Sequence, residues 1–442
     1  RRATAEYLLF GYPLGGRTLL ENIRRLPGGT LLQWRDNDPV AARHTYGPFD
    51  FSRKRSVAGV TEAAGELADL FVQASGSQAN QKQAAIISLS GGLDSRAVAA
   101  GLVRAGRTFK ALTFENAGGT FGADSIRARE VAERLNLDWD LFRLPPVTGN
   151  DLRRIIRMKG GMNYAASAFA LPFMDQIEKR HGRNLVYFSG DGGDKLLPDL
   201  RPGRRPKSIR HLTEYIIDRH AHLPLQFVAR LTGVPEEEIL AGIVARLHTY
   251  PEDTTEQKYV HFMIYERAMK WLFEGEDCNR CHFWTATPFY SLPFFMAAMS
   301  LPDELKTRHL LYREFLVALS REAAAIPDAS CGLPVTSRAY RERLRLIGWL
   351  SRYPGLLKSV KRVATPPLSY SYESATIRAI VALTELPGVG DRIDSAWLRW
   401  LTGNSNEFGR DLYDNLLTLL LLSEELSPTA SRVGSIDDLI FS

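Results

Sequence analysis

A chain of 442 residues, 45% hydrophobic and 24% charged, can bury a large core, which excludes a disordered chain and points to more than one domain. Three cysteines exclude a disulfide framework and fit a reducing compartment. The net charge of +6 is mixed along most of the chain, so no nucleic-acid partner is expected.

In chain order, the first strong signal is residues 84–89, an apolar run that reads as a short buried strand. Further on, Ala97, Val98, Ala99, Ala100, Leu102 and Val103 predict a buried helix closed by Gly106. The turn between them, Ser88-Leu89-Ser90-Gly91-Gly92-Leu93-Asp94-Ser95, has the chemistry of a phosphate site. Its two glycines let the backbone approach an anion, and free N–H groups at the helix start point at it. Ser90 and Ser95 add hydroxyl donors. Asp94 beside a phosphate calls for a divalent cation between them, which makes it a candidate Mg2+ ligand. The loop lacks the Gly-Lys-Ser/Thr ending of a Walker site. A glycine-rich strand-helix turn without a ligand is the plain alternative.

Ala111-Leu112-Thr113-Phe114-Glu115 predicts the next strand, and Asp124 is expected to cap a helix carrying Ala128, Val131, Ala132 and Leu135 at helical spacing. Asn184-Leu185-Val186-Tyr187-Phe188 predicts another buried strand, running into Ser189-Gly190-Asp191-Gly192-Gly193-Asp194. Ligands of open parallel sheets bind outside the carboxyl ends of the strands, so the two acidic glycine loops are expected to converge on one nucleotide. Asp94 and Asp194 would then share magnesium.

Arg201, Arg204, Arg205, Lys207 and Arg210 crowd the next loop, with no acid among residues 201–210. They form either a solvated loop or a mobile basic lid for departing pyrophosphate or an acidic peptide. Lys358, Lys361 and Arg362 read as the polar face of a helix. Cys278-Asn279-Arg280-Cys281-His282 matches the c-type haem pattern, and with Cys331 it also suggests an iron–sulfur centre. The plain reading is a helix segment whose thiols are buried as small apolar groups. The apolar run Leu416–Leu422 is too short to span a bilayer and reads as a core helix. No membrane partner and a cytoplasmic location are the expectations. Tyr370-Ser371-Tyr372-Glu373 and helices at 378–386 and 410–426 carry no chemistry that can be named; a helical cap is expected there.

The first loop resembles the Ser-Gly-Gly-x-Asp-Ser phosphate loop of ATP pyrophosphatases. Together with the second, it resembles the synthetase domain of the asparagine synthetase family, in which a Ser-Gly-Glu-Gly-Ser-Asp-Glu segment follows. Thr287-Pro288-Phe289-Tyr290-Ser291 and Leu301-Pro302-Asp303-Glu304-Leu305-Lys306 are similar to further stretches of that family, so the resemblance covers residues 84 to roughly 335. It implies a doubly wound, mainly parallel α/β sheet with additional helices. Leu8-Leu9-Phe10-Gly11-Tyr12, Thr18-Leu19, Ile23–Gly29 and Tyr46 resemble the end of the family's glutaminase domain, implying a short N-terminal β remnant. The implied division is 1–46 for that tail, 47–365 for the synthetase domain and 366–442 for a C-terminal helical region. The family's glutaminase uses an N-terminal cysteine, whereas here no cysteine precedes Cys278. The nitrogen is therefore expected from an upstream region or from another source.

The family's chemistry implies ATP and Mg2+ as cofactors and activation of a carboxylate as an acyl-adenylate, with release of pyrophosphate. Ser88, Leu89, Ser90, Gly91, Gly92, Asp94, Ser95, Thr113, Phe114, Ser189, Gly190 and Gly192 would bind ATP and pyrophosphate, and Asp94 and Asp194 would hold the metal. Asp191, Lys195 and Arg338 are the candidate catalytic residues. Asp191 replaces the family's glutamate and would orient the amine or accept its proton, a structural role in the turn being the alternative. Lys195 replaces a second glutamate, and Leu196-Leu197-Pro198-Asp199 replaces Phe-Gly-Gly-Tyr. The family's lysine before a late proline is also missing, Ala329-Ser330-Cys331-Gly332-Leu333-Pro334 standing there; Arg338 or Arg341 would substitute for it. Asparagine synthesis from aspartate with ammonia or glutamine-derived nitrogen is the first expectation. A tailoring cyclase that closes an amide or lactam on a peptide or metabolite carboxylate, using a substrate amine, is the second; an ATP-binding protein without synthetase activity is the third. A homodimer is the expected assembly.

Overall fold

The computed structural model describes residues 1–36, 42–45, 49–79, 83–116, 122–350, 370–384, 394–404 and 409–427. Tyr46 and the cluster Lys358, Lys361 and Arg362 lie outside the described residues, as do the side chains of Tyr370–Glu373.

The N-terminal segment combines a helix with a short two-stranded sheet. Arg2–Phe10 is a helix whose Tyr7, Leu8, Leu9 and Phe10 are fully buried, ended by Gly11 in the left-handed region at φ 85°. Among the described residues of this segment the strands are an antiparallel pair, β1 (Thr30–Gln33) and β2 (Ala42–Thr45).

Five strands then build one parallel sheet: β3 (Ala84–Ser88), β4 (Lys110–Asn116), β5 (Asp138–Leu144), β6 (Leu185–Phe188) and β7 (Trp284–Ala286). Their spatial order is β5-β4-β3-β6-β7, so the chain winds one way from β3 to β5 and then returns past β3 to β6 and β7. The doubly wound α/β sheet expected from the sequence is present. Its central strands β3 and β6 read as nearly continuous apolar runs because both of their faces are covered. Side chains alternate: Ala85, Ile87 and Phe188 join one buried layer with Phe71, Val98 and Phe315. Ile86, Leu112 and Tyr187 join the opposite layer with Phe142 and Phe173. Each fully buried aliphatic or aromatic side chain contributes about 1.5–3 kcal/mol, so the sheet ends are held in place by packing on two sides.

A further helical layer closes around Arg2–Phe10, Ile209–His220, Glu236–His248 and Arg410–Leu426. Leu416, Leu420 and Leu421 have no exposed surface there, which makes the apolar run a core helix, as its length indicated. No helix among the described residues is long and apolar enough to cross a membrane.

Candidate active site

The winding reverses between β3 and β6, the neighbours at the middle of the sheet. Strand polarity is the same, so the loops after these two strands leave the sheet on one side at the switch point, where open α/β sheets bind ligands. They are the Ser88–Ser95 loop and the Ser189–Asp194 loop. Gly190 lies against the first loop so closely that a Cβ would sit 2.5 Å from the Ser95 amide nitrogen. Gly192 turns the second loop at φ +103°, facing the ring of Tyr290. The contact brings the two carboxylates together: the Asp194 amide donates to Asp94 Oδ2 at 3.2 Å.

Asp94 is partly buried at the start of the helix Leu93–Arg104. The Tyr312 hydroxyl, from the helix Leu310–Leu319, donates to its Oδ1. Burial and the neighbouring Asp194 nonetheless push the Asp94 carboxyl up to about 7. Asp194 is itself paired with Lys195 Nζ. Negative charge at Asp94 is therefore incompletely neutralised by protein groups. Two hard oxygen donors at a phosphate loop suit Mg2+, which is characteristically held by one or two carboxylates plus substrate phosphates; Asp94 and Asp194 fit that ion.

The first loop is preorganised by its own side chains. Ser95 Oγ accepts from the Ser90 amide at 3.0 Å and lies 2.9 Å from Ser90 Oγ. The two glycine amides, expected to be free, are occupied: Gly92 N–H donates to Ser90 Oγ at 3.2 Å and Gly91 N–H to Asp124 Oδ1 at 2.9 Å. Asp124 thus differs from its expected place as a helix cap. It lies in the first turn of Gly122–Arg134, and its carboxylate reaches across to the loop.

Thr113 is committed to the sheet end, donating to the Leu89 carbonyl at 2.7 Å and accepting from Trp139 Nε1 at 2.8 Å. The Phe114 ring packs on Phe173, their centroids 4.8 Å apart. Arg338 is exposed at the start of the helix Arg338–Leu350, and no hydrogen bond or ion pair among the described residues joins it to either loop. The basic run is partly neutralised: Arg201 pairs with Asp199 and Glu304, and Arg205 pairs with Glu256. Cys278 is buried, Cys281 exposed and Cys331 intermediate, so only the first thiol is core. Among the described residues no group of three His, Cys, Asp or Glu is placed to hold a metal ion.

Two residues of the site carried no assigned role in the sequence. Arg96 is fully buried and donates to four carbonyls: Gly91 at 2.9 Å, Ala323 at 3.1 Å, Ile326 at 2.7 Å and Pro327 at 3.1 Å. It clamps the segment at 323–327 onto the phosphate loop. The signal was a lone arginine inside an alanine-rich helical face, where a buried charge calls for hydrogen-bonding partners. Tyr312 lies 218 residues beyond Asp94, a separation that no local pattern bridges.

No curated protein sequence matches the chain. Among solved structures, an NMN synthetase from Francisella tularensis is similar at 16% identity over 48% of this chain and 96% of that chain, with a TM-score of 0.25. The family described as asparagine synthase matches residues 66–330, a span that covers more than half of the chain and contains both loops, Arg96 and Tyr312. The chain belongs to the asparagine synthase family, a family of ATP-dependent synthetases.

Proposed function

We propose that the protein is an ATP-dependent carbon–nitrogen ligase that makes an acyl-adenylate of a carboxylate substrate, releases pyrophosphate, and passes the acyl group to an amine. The observation that carries this reading is the meeting of Asp94 and Asp194 at the switch point of the sheet, beside a serine-glycine loop. A carboxylate acylates poorly because its leaving group would be an oxide; adenylation replaces that group with AMP. Magnesium bound by Asp94 and Asp194 would supply charge neutralisation to the phosphates. The chain's own residues position the reaction. Ser90 and Ser95 present hydroxyls, Lys195 offsets Asp194, and Asp191 faces the amine from the second loop.

Aspartate with ammonia is the first substrate pair. A tailoring cyclase is favoured by one specific observation: the segment that stands where the family has its late lysine does reach the loop, the Ala329 amide donating to the Gly91 carbonyl at 3.3 Å, yet it brings no cation. The test is pyrophosphate release from Mg-ATP with aspartate plus ammonium, run beside a panel of amino-bearing carboxylates. Release with aspartate, accompanied by asparagine and AMP, supports the first pair. Release only with another carboxylate supports a tailoring ligase, and nucleotide binding without release on any of them refutes the ligase reading.

A further inference from the structure

Two of the three cysteines stand three positions apart, in Cys278-Asn279-Arg280-Cys281, and the fold gives them unlike surroundings. Helix runs without a break from Thr255 to Asn279, and the pair straddles its C-terminal end. Cys278 is 5% exposed and packs in the helical core, whereas Cys281 is exposed. The Cys281 amide donates to the Cys278 carbonyl at 3.0 Å. A turn closed from i to i+3 keeps its end Cα atoms within about 7 Å, and a disulfide needs about 4.4–6.8 Å. The backbone thus holds the two residues within reach of a bond; their side chains part, one into the core and one to solvent.

The setting favours the bonded form. Burial, with Cys281 beside it, pushes the Cys278 thiol up to about 11. A helix C-terminus, the negative end of the dipole, also disfavours a thiolate. Strongly oxidising dithiols have the opposite arrangement, in which the reduced form is stabilised.

The two intervening residues tie this turn to the second loop. Asn279 Nδ2 donates to Glu276 Oε2 at 3.3 Å, and Glu276 adjoins the Ser189 hydroxyl. Arg280 Nε donates to Thr285 Oγ1 of β7 at 3.2 Å, and the next residue of β7, Ala286, accepts from the Ser189 amide at 3.2 Å. Both routes end at the first residue of the Ser189–Asp194 loop.

We propose that Cys278 and Cys281 are a reversible dithiol–disulfide pair, closed by a small disulfide of the glutathione class and coupled to the second loop. The Cys281 thiolate attacks one sulfur of the oxidant, forming a mixed disulfide and releasing one thiol. The Cys278 thiolate then attacks the Cys281 sulfur and expels the second. The chain gives up two electrons and two protons, and the small disulfide is reduced to two thiols. Drawing the sulfurs together turns Asn279 and Arg280 away from Glu276 and Thr285, which loosens the loop.

The test treats the full chain with glutathione disulfide and then traps free thiols with iodoacetamide in urea. The treated chain should be two hydrogens lighter before trapping. Cys278 and Cys281 should be protected and Cys331, which packs against the sheet layer of Phe71 and Phe315, alkylated; dithiothreitol should restore all three. Amide hydrogen exchange across Ser189–Asp194 should be faster in the oxidised form than in the reduced one, and indifferent to glutathione disulfide in Cys281→Ser. Cys281 is at the surface, so Cys281→Ser disturbs no core packing, and the comparison of the two wild-type forms stands without it. A lasting glutathione adduct on Cys281, alkylation of all three cysteines after treatment, or equal exchange at the loop in both forms overturns the proposal. None of these readouts uses ATP, so their failure is distinct from absent pyrophosphate release, which would instead refute the ligase reading.

Discussion

Replacing Arg96 with methionine tests whether the phosphate loop is held by a buried cation rather than by packing. The guanidinium spans four carbonyls, one from the loop at Gly91 and three from Ala323, Ile326 and Pro327. Methionine fills similar volume but removes the guanidinium donors in a site with no exposed surface: the Ile326 and Pro327 carbonyls lose them outright, whereas Gly91 still accepts from the Ala329 amide and Ala323 from the Ile326 amide. At about 1–3 kcal/mol for each of these two acceptors, offset in part by removal of the desolvated charge, the net loss is about 2–4 kcal/mol. That is a large share of a typical total of about 5–15 kcal/mol. Arg96→Lys keeps the charge but reaches fewer carbonyls, so it should fall between the two. Urea denaturation followed by circular dichroism gives the stability, and pyrophosphate release below the unfolding transition gives the function. A loss under about 1 kcal/mol in Arg96→Met with unchanged release would refute the clamp.

Three further expectations concern the same site. Tyr312→Phe removes the hydroxyl donor from Asp94 and raises that carboxyl further, because the lost hydrogen bond favoured its charged form. The half-saturating magnesium concentration for nucleotide binding at pH 7 should then rise by about 10-fold or more, and an unchanged value would show that the hydroxyl does not act on Asp94. Gly190→Ala places a Cβ 2.5 Å from the Ser95 amide; parting the loops should cost about 1–3 kcal/mol and most of the pyrophosphate release, whereas wild-type turnover would mean the loops need not touch. Asp94 and Asp191 both stand at about 7 in the folded protein, against an ordinary 3.8. Both hold protons that the unfolded chain has already lost, so the stability they contribute is full below about pH 4 and lost as pH rises through about 7. The urea midpoint of the metal-free protein should fall across that window, less steeply in Asp191→Asn; a flat midpoint contradicts the sign.

The sheet and the two loops were legible because each is local. The runs at 84–88 and 185–188 are apolar on both faces, as strands of a covered parallel sheet are, and each breaks at glycines beside an aspartate. The helix Arg410–Leu426 was legible from its unbroken leucines. What the sequence hid is long-range. Asp124 looked like a cap because caps are local, yet its partner is the Gly91 amide 33 residues away. The hydroxyl of Thr113 is held by Leu89 and Trp139, partners 24 and 26 residues away. Arg338 was a candidate only because the family's lysine was missing, and the helix it begins leaves it in solvent. At the N-terminus the same apolar residues that suggested a β remnant serve a helix, since burial on a helical layer and on a sheet both reward leucine and phenylalanine.

The central claim is that Asp94, with Asp194, serves cleavage of ATP between its α and β phosphates. Phosphorus NMR of ATP turnover with magnesium and the carboxylate panel tests it most directly, wild type against Asp94→Asn. The account predicts AMP and pyrophosphate from the wild type and a loss of roughly 100-fold or more in the variant, the scale of removing one electrostatic contact from a reacting centre. ADP and phosphate as products, or equal turnover by Asp94→Asn, would contradict it.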